Sequence, residues 1–154
     1  MERQCDLQGG AGVGRAAQIE AAAERLGTVF EPEQDDAAEF ALWLSPHILA
    51  NTGRVLATVL KTPDEEVDEY LRALAEMAEA SGGGITDPAQ TVGDCPDWGY
   101  NRILDLAAAV GAFVIVSPDA GLTGMSPWRG RPIIEPSQFA SMVDASRRAR
   151  RRRR

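Results

Sequence analysis

A continuous apolar run, Ala112-Phe113-Val114-Ile115-Val116, constrains the fold of this chain more than any other feature. A strand that is apolar on both faces has to be covered on both sides, which is typical of a parallel sheet packed between helices. A helical pattern over residues 103–110, stopped by Gly111, precedes this run, and a second apolar run lies at residues 40–44. The alternation of strand and helix patterns predicts an α/β fold with a central parallel sheet.

The helix boundaries have recognisable start and stop signals. Ser45-Pro46 predicts a helix start, with Ser45 as the cap and Pro46 at the first helical position. Thr62-Pro63-Asp64-Glu65 predicts another start, in which Thr62 is the cap and Glu65 closes a capping box. Ser81-Gly82-Gly83-Gly84 is expected to end that helix.

The rest of the chain divides into a short strand, a last helix and two terminal segments. Residues 131–134 predict the strand, and Pro136 is expected to open the helix. Residues 1–38 are expected to be an atypical, partly flexible leader with a helix over residues 16–26. The folded domain is therefore predicted at residues 39–146, followed by an arginine-rich tail at 147–154.

A glycine-rich segment, Gly9-Gly10-Ala11-Gly12-Val13-Gly14, resembles a phosphate-binding loop in composition only. No Gly-Lys-Ser/Thr follows it and no apolar strand precedes it. The segment therefore satisfies neither the Walker pattern nor the dinucleotide-binding fingerprint.

The net charge of −7 conceals an uneven distribution of charge. Seven arginines occupy the last eight positions, so the remainder of the chain carries about −14. A like-charged tail of this kind is expected to be disordered. It serves either as a sequence-independent contact to nucleic-acid phosphates or as a solvated tail lying against the acidic body.

Composition excludes several kinds of site. His47 is the only histidine, and Cys5 and Cys95 match no zinc spacing, so a Cys/His metal centre is excluded. No apolar stretch reaches the length of a membrane span, and the first residues lack the apolar core of a secretory signal. A cytoplasmic protein without a membrane partner is expected, and any catalytic metal has to bind oxygen ligands.

Two carboxylates follow or precede elements in positions suited to a metal site. Asp119 comes directly after the apolar run ending at Val116, where ligands bind beyond the carboxyl ends of parallel strands. Asp97 lies just before the helix pattern at 103–110 and could reach the same edge. Carboxylate oxygens suit Mg²⁺, whereas the structural alternative is that each aspartate only caps the helix or turn that follows it.

Five stretches, in this order and spacing, resemble the PIN family, the fold of VapC-type toxin ribonucleases. The stretches are Leu44-Ser45-Pro46-His47-Ile48-Leu49, residues 62–79, residues 94–107, Val114-Ile115-Val116-Ser117-Pro118-Asp119 and Trp128-Arg129-Gly130-Arg131-Pro132-Ile133-Ile134. The resemblance implies a three-layer domain and a Mg²⁺- or Mn²⁺-dependent endoribonuclease. It also implies Asp97 and Asp119 as catalytic metal ligands, with Asn101 offering a neutral oxygen. RNA and an antitoxin protein are the implied partners, and a homodimer is left open.

The chain also departs from the PIN pattern. The first strand and its Asp-Thr-Asn or Asp-Ala-Asn motif are missing, so the sheet is expected to be incomplete at its N-terminal side. Neutral residues stand where the family usually carries acids: Asn51, Gly99, Tyr100 and Gly121. These departures predict a weakened or inactive nuclease. The alternatives are a non-catalytic module that binds nucleic acid or protein, and an unrelated α/β binding domain.

Nucleic-acid contacts are expected from basic residues. The candidates are Arg129, Arg147, Arg148 and Arg150. Three tryptophans, Trp43, Trp98 and Trp128, either stack on RNA bases or belong to the core. Trp128-Arg129 is the place where an aromatic residue adjoins a basic one.

Overall fold

The computed structural model describes residues 40–154. These residues belong to two compact units, which we treat separately: 40–112 and 113–154. The leader predicted at 1–38, with its glycine-rich segment at 9–14 and its helix at 16–26, lies outside the described residues.

The unit formed by residues 40–112 contains two short parallel strands and three helices. Its elements are β1 (Trp43–Leu44), α1 (Pro46–Thr58), α2 (Asp64–Ala80), β2 (Gly84–Ile85) and α3 (Trp98–Val110). In the parallel pair, Trp43 lies opposite Gly84 and Leu44 lies opposite Ile85. The core of this unit includes Leu44, Val67, Ala78, Val92, Cys95, Leu104, Leu106 and Ala107.

The predicted start of α1 and the predicted end of α3 are confirmed, whereas α3 begins at Trp98, five residues before the predicted helical pattern. The Ile48 backbone N–H donates to the Ser45 hydroxyl over 3.2 Å, and Pro46 occupies the first turn of α1. Helix α3 ends at Gly111, which adopts a left-handed conformation with φ 62°. A residue with a side chain is disfavoured in this conformation, so glycine stops the helix here.

The predicted cap of α2 is wrong by one residue. The N-cap is Pro63, and it makes no side-chain capping hydrogen bond. The backbone N–H of Thr62 instead donates to the carbonyl of Leu56 over 2.9 Å, which closes the turn after α1. Acidic residues fill the first turn of α2, where the positive end of the helix dipole stabilises negative charge.

Strand β2 was missed because its glycines look like a simple helix stop. A side chain at Gly83 would collide with the carbonyl of Leu42, so the two backbones approach at a distance that only glycine allows. The Gly84 N–H donates to the Leu42 carbonyl over 3.1 Å, and the Leu42 N–H donates to the Ser81 hydroxyl over 2.8 Å. The segment that ends α2 is therefore also the segment that pairs with β1.

The unit formed by residues 113–154 contains a second parallel pair. Its elements are β3 (Ile115–Val116), α4 (Ala120–Thr123), β4 (Ile133–Ile134) and α5 (Pro136–Arg152). Ile115 lies opposite Ile133, and Val116 lies opposite Ile134. The apolar core of this unit comprises Ile115, Leu122, Trp128, Ile133, Phe139 and Val143.

The alternation of helices with parallel strands is confirmed, but the strands differ from the predicted central sheet. Within residues 40–154 they form two two-stranded sheets, β1 with β2 and β3 with β4. The apolar run at 112–116 is not covered along its length, because Phe113 is 94% exposed while Ile115 is buried. The Ala112 N–H still donates to the Ala107 carbonyl, so the first part of the run finishes α3.

Helix α5 extends into the arginine-rich segment, for which the charge predicted disorder. Helix α5 begins at Pro136, as predicted, and continues to Arg152. The Glu135 N–H donates to the Gln138 side-chain oxygen over 2.9 Å at its start, and arginines fill its last turn. Cations at a helix C-terminus are stabilised by the helix dipole, which offsets part of their mutual repulsion. Among residues 40–154, no helix combines the length and apolar character needed to cross a bilayer.

The Gly83→Ala substitution tests the close approach of β2 to β1. We expect it to lower the free energy of unfolding by about 1–3 kcal/mol, because the new methyl group has to displace the Leu42 backbone. Gly93→Ala is the matched control, since nothing lies within 4 Å of the added methyl group there. Urea denaturation measures both, and equal stabilities for the two variants would refute the close approach.

Candidate functional site

Asp97 caps helix α3. Its Oδ1 accepts a hydrogen bond of 3.1 Å from the Tyr100 backbone N–H, and its own backbone is extended. This is the structural role that the sequence offered as the alternative to metal binding, and it is confirmed. An N-cap aspartate satisfies one of the free N–H groups at the start of a helix.

His47 and Trp98 lie beside Asp97. A methyl group added at Gly99 would be 3.2 Å from Asp97 Oδ1 and 3.7 Å from His47 Nε2, so these two polar groups flank Gly99. The rings of His47 and Trp98 meet edge to face with their centroids 5.2 Å apart. Trp98 is 58% exposed, so its indole is not the core residue that one interpretation of the sequence expected.

Asn101 is buried and holds the loop that precedes α3. Its side-chain oxygen accepts a hydrogen bond of 2.9 Å from the Cys95 N–H, and its side-chain nitrogen donates to the Cys95 carbonyl over 2.6 Å. Both ends of the amide are thus engaged by one backbone residue. This arrangement favours a structural role over the ligand role that the PIN resemblance implied.

Asp119 follows β3 directly, as predicted, and occupies the N-cap position of α4. Its side chain makes no capping hydrogen bond, although its backbone N–H donates to the Ser117 hydroxyl over 3.1 Å. The carboxylate is half-buried. Asp119 belongs to the 113–154 unit and Asp97 to the 40–112 unit, so the convergence of the two carboxylates stays a prediction.

The donor groups described here do not fit a divalent-metal centre. Within residues 40–154, no three His, Cys, Asp or Glu side chains form a group suited to holding a metal ion. Two-metal phosphodiester hydrolysis requires ions about 4 Å apart, held by several carboxylates. Of the three predicted ligands, Asp97 caps α3 through Oδ1 and Asn101 holds a loop, while Asp119 follows β3.

The predicted nucleic-acid contacts Arg129, Arg147, Arg148 and Arg150 all lie in the 113–154 unit. Arg129 stands in a tight turn with its guanidinium carbon 4.5 Å from the centroid of the Trp128 ring. The other three lie in the last turns of α5, where Arg148 and Arg150 are exposed and Arg147 is half-buried.

Charge is divided between the two units. Residues 113–154 contain nine arginines against three acidic residues, whereas residues 40–112 contain four basic residues against eleven acidic ones. Seven of those acids stand on α2 and all seven are exposed: Asp64, Glu65, Glu66, Asp68, Glu69, Glu76 and Glu79. The basic surface expected from the sequence is therefore a property of one unit, and the acidic surface is a property of the other.

A buried ion pair in α3 was missed by the sequence analysis. Asp105 Oδ2 accepts a hydrogen bond of 3.0 Å from the Arg102 guanidinium, and both side chains are almost fully buried. Asp105 Oδ1 accepts from the backbone N–H groups of Thr91 and Val92 over 2.9 and 2.7 Å. Arg102 also donates to the Pro88 carbonyl over 2.9 Å. The i, i+3 spacing was the available signal, but it does not reveal burial.

Comparison of the chain with protein families, curated proteins and solved structures found no match.

A calorimetric titration with Mn²⁺ tests the ligand set. We expect no saturable heat from the wild-type chain and the same trace from Asp119→Asn, because a single half-buried carboxylate provides too little counter-charge for a divalent ion. Asp144→Asn, an exposed change on α5, is the control. Saturable binding by the wild type that disappears only in Asp119→Asn would assign Asp119 to a metal site.

The Asp105→Asn substitution tests the buried ion pair. It leaves Arg102 without its buried partner charge, so we expect a loss of about 3–5 kcal/mol in the free energy of unfolding. Asp87→Asn removes the exposed partner of the same arginine and should cost less than about 1 kcal/mol. Similar losses in the two variants, measured by denaturation at neutral pH, would contradict this assignment.

Acid should remove the contribution of Asp105. Burial alone would raise the pKa of Asp105, but hydrogen bonds from Thr91 and Val92 and the charge of Arg102 together hold that pKa below its usual value. A lowered folded-state pKa stabilises the protein fully above the unfolded-state pKa, near 3.8, and the stabilisation is lost as the pH falls through the folded-state value. The stability difference between wild type and Asp105→Asn should therefore shrink in this acidic range.

Proposed function

We propose that this chain is a nucleic-acid-binding α/β protein of PIN-like ancestry in which nuclease chemistry has been lost. Binding is assigned to the arginines of the 113–154 unit, with RNA as the ligand. The observation that carries the proposal is the concentration of nine arginines in this unit against three acidic residues. Arginine forms bidentate hydrogen bonds with phosphate, so such a surface suits a nucleic-acid backbone.

The acidic unit makes this assignment specific to one part of the chain. Helix α2 presents seven exposed carboxylates, which repel phosphate groups. The arginines of α5 offer the opposite field. Arg148 and Arg152 are four residues apart, so they share a helix face, and both are exposed. Phosphates are therefore expected to approach the 113–154 unit and to avoid α2.

The loss of catalysis is inferred from the groups that the PIN resemblance would use. Asp97 Oδ1 caps α3, and the Asn101 amide is committed to the Cys95 backbone. A PIN-like three-layer arrangement would explain the alternation of helices with parallel strands and the position of Asp119 after β3. We infer that the chain has kept a PIN-like architecture and has lost the acidic metal site.

A metal-dependent ribonuclease is the second candidate. The observation that favours it is that Asp119 lies just after β3, at the N-cap position of α4. A carboxylate directly after a parallel strand is where such an enzyme would hold Mg²⁺ or Mn²⁺. The Mn²⁺ titration of wild type and Asp119→Asn separates this candidate from the binding protein.

Affinity for a labelled 12-nucleotide RNA tests the proposed function. We expect the combined Arg147→Ala, Arg148→Ala and Arg150→Ala variant to lose at least about tenfold in affinity at 0.1 M salt, because phosphate contacts supply much of the binding. Its dependence of log K on log salt should also become shallower by about 0.7 for each contact removed. Fluorescence anisotropy at several salt concentrations gives both quantities.

Arg54→Ala combined with Arg72→Ala provides the matched control. Both arginines are exposed and both lie on helices of the acidic unit. This variant should bind RNA as the wild type does. A wild-type chain that binds no RNA, or an equal loss in the control variant, would refute the proposed function.

A further inference from the structure

A tight hairpin at Trp128-Arg129-Gly130-Arg131 lies in the connection between α4 and β4. The Trp128 N–H donates to the Arg131 carbonyl over 2.9 Å, and the Arg131 N–H donates to the Trp128 carbonyl over 2.8 Å. Arg129 and Gly130, the two residues of the turn, have φ values of 46° and 77°. A two-residue hairpin turn with positive φ at both positions is a type I′ turn.

Arg129 stands where a side chain is disfavoured. Positive φ at this position suits Gly, Asn or Asp, because a longer side chain brings its Cβ close to the backbone. Strained residues of this kind persist where the side chain has a use and the surroundings hold it in place. Arg129 and Lys61 are the two non-glycine residues with positive φ among residues 40–154.

The Trp128 ring gives the Arg129 side chain a fixed position. Trp128 is 5% exposed, whereas Arg129 is exposed. The guanidinium carbon of Arg129 is 4.5 Å from the ring centroid, and that of Arg131 is 5.8 Å from it. Stacking on the indole attracts the cation and limits its motion, so less conformational freedom is lost when the guanidinium meets a ligand.

We propose that the Trp128–Arg131 hairpin binds an unpaired nucleobase, which stacks on the Arg129 guanidinium on the side away from the indole. This inference rests on the proposed function and narrows it to single-stranded RNA. Bases in a duplex are stacked on one another, whereas single strands offer base faces to aromatic rings and arginine planes. Arg131, whose guanidinium lies at the same indole, supplies charge for a flanking phosphate.

Geometry distinguishes this role from a simple charge contact. Lysine keeps the positive charge but has no planar group to stack on a base. Arg129→Lys should therefore weaken binding to a single strand while it leaves the charge-driven binding to a duplex unchanged. Arg129→Gly removes the charge as well as the planar group, so it should weaken binding to both the single strand and the duplex. It should also raise the thermal unfolding midpoint, because glycine adopts φ 46° without strain.

The test compares a single-stranded RNA 12-mer, a duplex of the same sequence and an abasic strand of equal length, each measured by fluorescence anisotropy with the full chain. We expect Arg129→Lys to lose about tenfold in affinity for the single strand and less than about twofold for the duplex. Arg129→Gly should lose affinity for both, because it also removes the charge. The wild type should bind the abasic strand as weakly as Arg129→Lys binds the normal single strand.

Lys61→Gly is the matched control, because it also removes a positive charge at a residue with positive φ. It should leave all three affinities unchanged. The stacking site would be overturned if Arg129→Lys bound the single strand as tightly as the wild type, or if this variant lost equal affinity for the single strand and the duplex. Either result would leave the proposed RNA binding intact. A wild type that binds none of the three RNAs would remove the proposed function as well.

Discussion

Asp105 accepts hydrogen bonds from Arg102, Thr91 and Val92 inside the 40–112 unit, where its carboxylate is almost fully buried. The network ties the loop after β2 to the middle of α3, because Arg102 also donates to the Pro88 carbonyl. A buried charge without such partners would be strongly destabilising. The loop between β2 and α3 is therefore held by polar contacts in addition to the burial of Val92 and Cys95.

The start of the same helix engages two of the predicted metal ligands in local hydrogen bonds. Asp97 and Asn101 lie in successive turns at the beginning of α3, and each satisfies backbone groups of its own neighbourhood. Local hydrogen bonds of this kind stabilise a helix start, and here they engage Asp97 Oδ1 and the Asn101 side-chain oxygen. We therefore place the proposed binding function in the 113–154 unit, where the arginines are concentrated.

Local signals in the sequence predicted the elements well, and contacts between distant residues were the part that it could not predict. Ser45-Pro46 begins α1 by a local capping hydrogen bond and the fixed φ of proline, and Gly111 ends α3 by its left-handed conformation. Strand β2 depends instead on the backbone of Leu42 passing close to Gly83, and no local pattern reports that contact.

The candidate site divides in the same way. Capping by Asp97 was expected as one of two roles, because capping is local, whereas the burial of Asn101 and the Arg102–Asp105 pair requires a packed loop. The apolar run at 112–116 predicted a strand covered on both faces, but hydrophobicity alone does not show that Phe113 is exposed. Helix α5 extends into the arginine segment, whereas the prediction of disorder considered the mutual repulsion of the arginines without the preceding helix.

We propose that nucleic acid contacts the basic 113–154 unit and does not bind the acidic 40–112 unit. Ultraviolet crosslinking of the full chain to a single-stranded RNA carrying photoreactive uridines, followed by mass spectrometry of the crosslinked peptides, locates the contact directly. The account predicts crosslinks within residues 113–154, including the peptide that contains Trp128 and Arg129. Crosslinks concentrated in residues 64–80 of α2 would contradict it.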